Sequence, residues 1–261
     1  VLGTGCSPMI TFDEAQILGW LSALLMPLFR LLGLFSSAPL LSSRNIPVRY
    51  RVTAALSLAV LAAPLVHGKT PSFDDPAFFV LMASEVMIGL AIGLVCRMLL
   101  ASVEMAGEII GLQMGFSFAA FFDPSTGSNS NAIGRLFNTM SLTSFAVING
   151  PLLLVAATMN SLERMPASMG TQQFLGRLDI GAVISQVFEL GLLMALPYMA
   201  LLLFVNLSLG LISRVAPQLN VFAIGFPITI GSGLMLLTLG LPMLYAPLAQ
   251  MHQAIFSLLG F

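Results

Sequence analysis

The chain is organised by the places where long apolar runs are interrupted. The first run, residues 15–41, carries Arg30 as its sole charge and contains Pro27 and Pro39. Asp13 and Glu14 precede it, with Thr11 placed to cap a first helical turn. Residues 42–51 read as a basic loop with Arg44, Arg49 and Arg51 around Pro47. A shorter run over 52–66 ends near Pro64, and 67–76 is a polar turn with Lys69, Asp74 and Asp75. Residues 77–96 are apolar apart from Glu85, after which Arg97, Glu104 and Glu108 appear. No charge occurs over 136–162, but Asn149-Gly150-Pro151 interrupts that run midway. A polar connection over 163–179 leads to 180–213, broken only by Glu189 and Pro197. From 215 to 261 there is no Asp, Glu, Lys or Arg. That stretch exceeds one span, so it predicts either a long bent helix or a tight hairpin near Gly240-Leu241-Pro242. The pattern predicts an all-α, integral-membrane-type protein of about six apolar helical segments, kinked by prolines.

Residues 107–124, GEIIGLQMGFSFAAFFDP, depart from this scheme. Their uncharged core, 109–122, is 14 residues long, whereas crossing a hydrocarbon layer takes about 20 helical residues. Gly107, Gly111, Gly115 and Ala119 recur every fourth residue, so a helix here carries one nearly side-chain-free face. Against it stand Met114, Phe116, Phe118, Phe121 and Phe122. Asp123-Pro124 then stops the segment, and residues 125–131, STGSNSN, form a polar turn or loop. The residues leave two readings of this half-segment: an inserted, pore-related element, or a plain buried packing helix.

Composition narrows the class. Of 261 residues, 57% are hydrophobic and 8% charged, against about 25% charged in a soluble domain. The chain is therefore an integral membrane protein or a subunit sealed inside an apolar assembly. A net charge of −1 argues against nucleic acid, since no basic stripe exists to neutralise phosphates. Two distant cysteines, Cys6 and Cys96, make no disulfide framework. Residues 1–8, VLGTGCSP, precede Met9 and read as an extension without the pattern of a signal peptide.

Catalytic chemistry finds little support. The two histidines, His67 and His252, lie in different segments, and no HExxH, CxxC, GxSxG or phosphate-loop pattern occurs. No enzyme activity, cofactor or metal is expected. Glu104 and Glu108 share one helical face; they are either a proton or ion site or a solvated or interfacial face. Arg30, Glu85 and Glu189 are the intramembrane ionisable residues, which admit a transport role or plain packing. A secondary transporter coupled through one of them is the rival from another functional class.

Three ungapped strings carry a resemblance across residues 9–261: APLLSSRNIPVR at 38–49, GLQMGFSFAAFFDP at 111–124 and RVAPQLNVFAIGFPITI at 214–230. With them the chain resembles the FliR family of flagellar biosynthetic, type III export-gate proteins. The tail is more similar to the flagellar members than to the virulence-secretion branch. The resemblance implies a non-enzymatic subunit at the flagellar basal body in the bacterial inner membrane. Its implied partners are FliP, FliQ, FlhB and FlhA, and its cargo unfolded flagellar subunits. It implies kinked helical hairpins, FliP-like over 9–179 with a plug loop at 107–124, and FliQ-like over 180–261. Those hairpins would pack into a spiral hetero-oligomeric gate largely above the membrane plane. Carried over by motif, Gly111, Met114, Gly115, Phe116, Ser117, Phe118, Phe121 and Phe122 would plug the closed channel, with Asp123 and Pro124 fixing the exit. Arg214, Pro217, Gln218, Asn220, Gly225 and Pro227 would form an assembly motif at the bend between the two FliQ-like helices.

Overall fold

A computed structural model describes residues 14–43, 46–65, 77–116, 131–164, 176, 179–216 and 221–259. The regular structure among these is helical: α1 (Glu14–Ser37), α2 (Val48–Ala62), α3 (Ala77–Gln113), α4 (Ala132–Val147), α5 (Gly150–Arg164), α6 (Ile180–Val215), α7 (Val221–Gly240) and α8 (Tyr245–Leu259). Short 3-10 turns follow α2, at Ala63–Leu65, and join α7 to α8, at Leu241–Leu244. The integral-membrane helical class expected from the sequence is what the chain adopts. Among the described residues, four stretches are long and apolar enough to cross a membrane, and α4 with α5 makes a fifth if that bent pair is one span.

Each boundary has a local cause. Pro47 lies extended at φ −56° and ψ 143° and opens α2, which puts Arg49 and Arg51 inside the helix instead of in the expected basic loop. Asn149 takes a positive φ of 57° and separates α4 from α5 by a 63° bend, at the predicted Asn-Gly-Pro break. Asp179 caps α6, its Oδ1 accepting from the Ala182 N–H at 3.0 Å. The last apolar stretch is the bent helix of the two expected forms, since 224–258 forms one continuous candidate span through the 3-10 turn. The central half-segment does not begin as a separate element, because residues 107–113 complete the 37-residue α3. Glu104 and Glu108, which follow the apolar run in the sequence, accept hydrogen bonds from α4 and its cap.

Two compact units form, each with its own core. The first holds the described residues of 1–37, 41–91 and 158–177. There α1 packs on α2, whose buried Ala55, Ala59 and Ala62 make a narrow helical stripe. Met26, Phe78 and Met82 form a cluster flanked by Leu25, Phe29 and Leu81. Gly33 of α1 lies against the Val86 carbonyl and the Leu90 N–H of α3, and Gly89 of α3 lies against the Arg30 carbonyl of α1. At this crossing the two backbones approach within the space of one missing methyl.

One turn away lies a buried ion pair. Arg30 and Glu85 are 0% and 1% exposed. The guanidinium forks onto the carboxylate, Nε to Oε2 at 2.6 Å and Nη2 to Oε1 at 3.0 Å. Its Nη1 donates to Ser161 Oγ of α5 at 3.0 Å, and that hydroxyl donates to the Thr158 carbonyl at 2.6 Å. Residues far apart in sequence, and weighed singly as transport sites, thus neutralise each other within the chain.

The second unit holds the described residues of 38–40, 92–157 and 178–261. Within it α6 packs on α7 and α8, and the second half of α3 is the post on which α4, α6 and α7 converge.

Removing one member of the ion pair strands the other in an apolar interior. Arg30→Met is expected to destabilise the detergent-solubilised protein by about 3–5 kcal/mol, whereas Arg30→Met with Glu85→Leu recovers most of that loss. Thermal unfolding of both variants checks this; equal melting temperatures for the single and double variants would contradict it.

Candidate functional site

The C-terminal end of α3 is where the unusual sequence and the packing meet. The helix stops because Gly115 turns to φ 86°, in the left-handed region that a side chain disfavours. The Gly115 N–H reaches back to the Leu112 carbonyl and the Met114 N–H to Ile110, both at 3.0 Å. The carbonyls left over are taken up by neighbouring helices. Asn206 Nδ2 of α6 donates to the Gln113 carbonyl at 3.4 Å, and Thr229 Oγ1 of α7 shares its one proton between the Phe226 carbonyl at 3.0 Å and the Met114 carbonyl at 3.4 Å. In apolar surroundings such end groups have no water to turn to.

Met114 is 0% exposed, and its side chain fills the space that a Cβ on Gly233 of α7 would need. Phe116 is half-buried. Gly107 and Gly111 face α4: Gly107 lies against Gly134 and Phe137, and Gly111 against the Asn131 side chain. The predicted small-residue face therefore exists as far as Gly111 and receives a helix there. It ends at Gly115, where the helix itself ends.

The chain returns at Asn131. Its side chain accepts from the Gly134 N–H at 2.7 Å and so caps α4. The same amide donates to the Glu108 carbonyl at 3.0 Å, while the Asn131 N–H donates to Glu108 Oε1 at 3.0 Å. One turn earlier on α3, Glu104 Oε2 accepts from Asn138 Nδ2 at 2.8 Å. Of the two readings of the Glu104/Glu108 pair, the contacts are those of an interfacial face.

Several expected site residues fall elsewhere. Ser117, Phe118, Phe121, Phe122, Asp123, Pro124, Pro217, Gln218 and Asn220 lie outside the described residues. Arg214 is exposed in the last turn of α6, where a cation complements the helix dipole. Gly225 is buried in α7, and Pro227 is exposed inside the same helix, so both lie within a helix and not at a bend. Sequence reasoning missed Asn131, Asn138, Asn206 and Thr229 as partners of α3. Asn131 had a readable signal, an Asn directly before an apolar helical run. Asn206 had another, a lone amide inside an apolar run, where polar side chains join helices.

The profile of bacterial export proteins, family 1, matches residues 21–255. The chain belongs to the FliR family of these export proteins. It is 35% identical to the flagellar biosynthetic protein FliR of Pectobacterium carotovorum subsp. carotovorum and 36% identical to that of Escherichia coli K12, in each case over 97% of both chains. It is also 32% identical to the FliR of Bacillus subtilis 168, over 85% of this chain and 87% of the relative. As a FliR-family member with long apolar helices, the chain is a membrane component of the flagellar export apparatus. Membership assigns it to export.

The α3–α4 contact makes a steric prediction. A Cβ at Gly107 would stand 2.8 Å from both the Ile133 carbonyl oxygen and Phe137 Cβ, so something must move. Gly107→Ala is expected to cost about 1–3 kcal/mol. Gly231→Ala, with nothing within 4 Å of the added methyl, is expected to be neutral or to stabilise by about 0.5–1 kcal/mol. Melting temperatures of the two variants in the same detergent test the contrast.

Proposed function

We propose that this chain is a subunit of the flagellar type III export gate in the bacterial inner membrane, at the flagellar basal body. It assembles there with FliP and FliQ, works with FlhB and FlhA, and lets unfolded rod, hook and filament subunits pass outward. Residues 9–179 form the FliP-like part and 180–261 the FliQ-like part, with 1–8 an extension outside the family pattern.

The segment 107–124 provides the plug. Gly111, Met114 and Gly115 are its root, and Phe116, Ser117, Phe118, Phe121 and Phe122 its stopper, which excludes water and ions by being bulky, apolar and soft. Asp123 and Pro124 fix the exit. Arg214, Pro217, Gln218, Asn220, Gly225 and Pro227 shape and anchor the FliQ-like hairpin against partner subunits. The observation that carries this reading is the way α3 ends. Helix, left-handed Gly115, captured carbonyls at Gln113 and Met114, and capped return at Asn131 together hold both feet of an aromatic-rich segment on a firm base. A passing unfolded chain needs only an aperture, so no specific side-chain recognition is required.

The test follows from the anchors. Deleting residues 116–122 while keeping Met114 and Gly115 is expected to leave assembly with FliP and FliQ intact. The assembled complex, reconstituted in vesicles, should then leak small ions that the parent complex retains. Unchanged conductance with normal assembly would remove the plug assignment.

A further inference from the structure

The outer side of α2 changes character along its length. Its inner side, Ala55, Ala59 and Ala62, is buried. Its outer side carries a row at four-residue spacing, Val48, Val52, Leu56 and Val60, all of them exposed. Thr53 and Ser57 are exposed as well, but their hydroxyls turn back onto the helix. Thr53 donates to the Tyr50 carbonyl at 3.1 Å, and Ser57 shares its proton between the Thr53 and Ala54 carbonyls, each at 3.0 Å. Beyond the first turn, this side therefore presents apolar groups and hydroxyls that are already satisfied, a surface that hydrocarbon can cover.

The first turn is different. Arg49 and Tyr50 are exposed, with Arg49 Cζ 5.3 Å from the centre of the Tyr50 ring. Arg51 is half-buried; its Nη2 donates to the Ser43 carbonyl, and its Nε finds no acceptor among the described residues. Residues 15–73 contain no Asp or Glu, and among the described residues neither arginine has an ion-pair partner. Two cations and a tyrosine thus head an apolar strip, with no anion supplied by the surrounding chain.

The dimensions fit one leaflet of a bilayer. The 15 residues of α2 make about 22 Å of helix, less than the hydrocarbon thickness of about 30 Å. Its partner α1 is a candidate span over Gly19–Ser37 with the exposed Trp20 near its start. Arg51 is tied to Ser43, just past the other end of that span. Trp and Tyr gather at the two faces of a bilayer, and Trp20 and Tyr50 mark the two ends of this hairpin. We propose that the outer side of α2 binds an anionic phospholipid. Arg49 and Arg51 hold the phosphate-bearing headgroup, which a guanidinium matches in shape as well as charge, and an acyl chain lies along Val52, Leu56 and Val60. The order of polar head and apolar strip is that of a lipid, and the uncompensated positive charge selects an anionic headgroup over a zwitterionic one.

The test puts a photo-crosslinking benzoyl-phenylalanine in place of Leu56 in the full chain, within the export complex that co-purifies with it. The complex is reconstituted in phosphatidylcholine vesicles carrying the same trace of labelled phosphatidylglycerol or of labelled phosphatidylcholine. Crosslinking is expected to favour phosphatidylglycerol, by about fivefold for each arginine. Arg49→Gln should lower that preference about fivefold, Arg49→Lys should keep it because the charge survives, and added salt should weaken it. Inorganic phosphate at constant ionic strength should leave it unchanged, because the free ion brings no acyl chain. Equal crosslinking of the two lipids overturns the proposal, as does a preference that survives Arg49→Gln. Loss of the preference to inorganic phosphate would make the arginines a site for the free ion, and a crosslink to a protein subunit would make the strip a subunit contact; either result also overturns it. Should Arg49→Gln fail to assemble, the parent's preference and its salt dependence decide the matter.

Discussion

Away from water, a polar group can be satisfied only by another part of the protein, and this constraint shapes the whole course of α3. The helix runs from Ala77 to Gln113 and carries Glu85, Glu104 and Glu108 into contact with other parts of the chain. Each finds donors: Glu85 the fork of Arg30, Glu104 the amide of Asn138, Glu108 the backbone N–H of Asn131. Where the helix ends, its last carbonyls meet Asn206 and Thr229. These carboxylates and amides join helices, which lipid cannot do for them. The Arg30–Glu85 pair shows the cost side as well. Its desolvation is offset by a forked geometry and by Ser161, and it specifies how three helices meet more than it adds net stability.

The second ingredient is close approach. Lipid tails are as apolar as leucine, so helices in such surroundings gain little by hiding methyl groups from water and must gain by fitting. Gly33 and Gly89 let α1 and α3 touch backbone to backbone, and Gly107 and Gly134 do the same for α3 and α4. A side chain at these positions would separate the helices and with them the short polar bonds one turn away. Packing and polar satisfaction are therefore a single requirement here. Arg30 reaches Glu85 because Gly33 reaches α3, and Asn131 reaches Glu108 because Gly111 and Gly134 leave room.

Legibility in the sequence follows the range of the forces involved. Breaks set by local chemistry are readable. Asn149-Gly150-Pro151 bends the chain where expected, and the apolar run from 180 emerges as one helix carrying Pro197. Charge is a poorer guide. Arg49 and Arg51 read as loop and are helical, because Pro47 opens a helix as readily as it ends one. Glu104 and Glu108 read as one helical face, but what that face meets is not legible locally, because their partners come from more than twenty residues on. The four-residue glycine spacing reads as a smooth face, but does not say which helix fills it. Nor can any local rule join Arg30 to Glu85, 55 residues away.

The exposed face of α6 bears on what surrounds the chain. Large apolar side chains are exposed from Ile180, through Phe188, Leu196 and Phe204, to Val215, along a helix of 36 residues. That length is about 54 Å, and even at a tilt of about 40°, the steep end of the usual range, it rises about 41 Å against a hydrocarbon thickness of about 30 Å. Lipid cannot cover such a face from end to end, and water would leave leucines and phenylalanines bare at one end or both. Protein is the remaining solvent. The helix is longer than the hydrocarbon layer is thick, so its apolar face extends past that layer at one end or both.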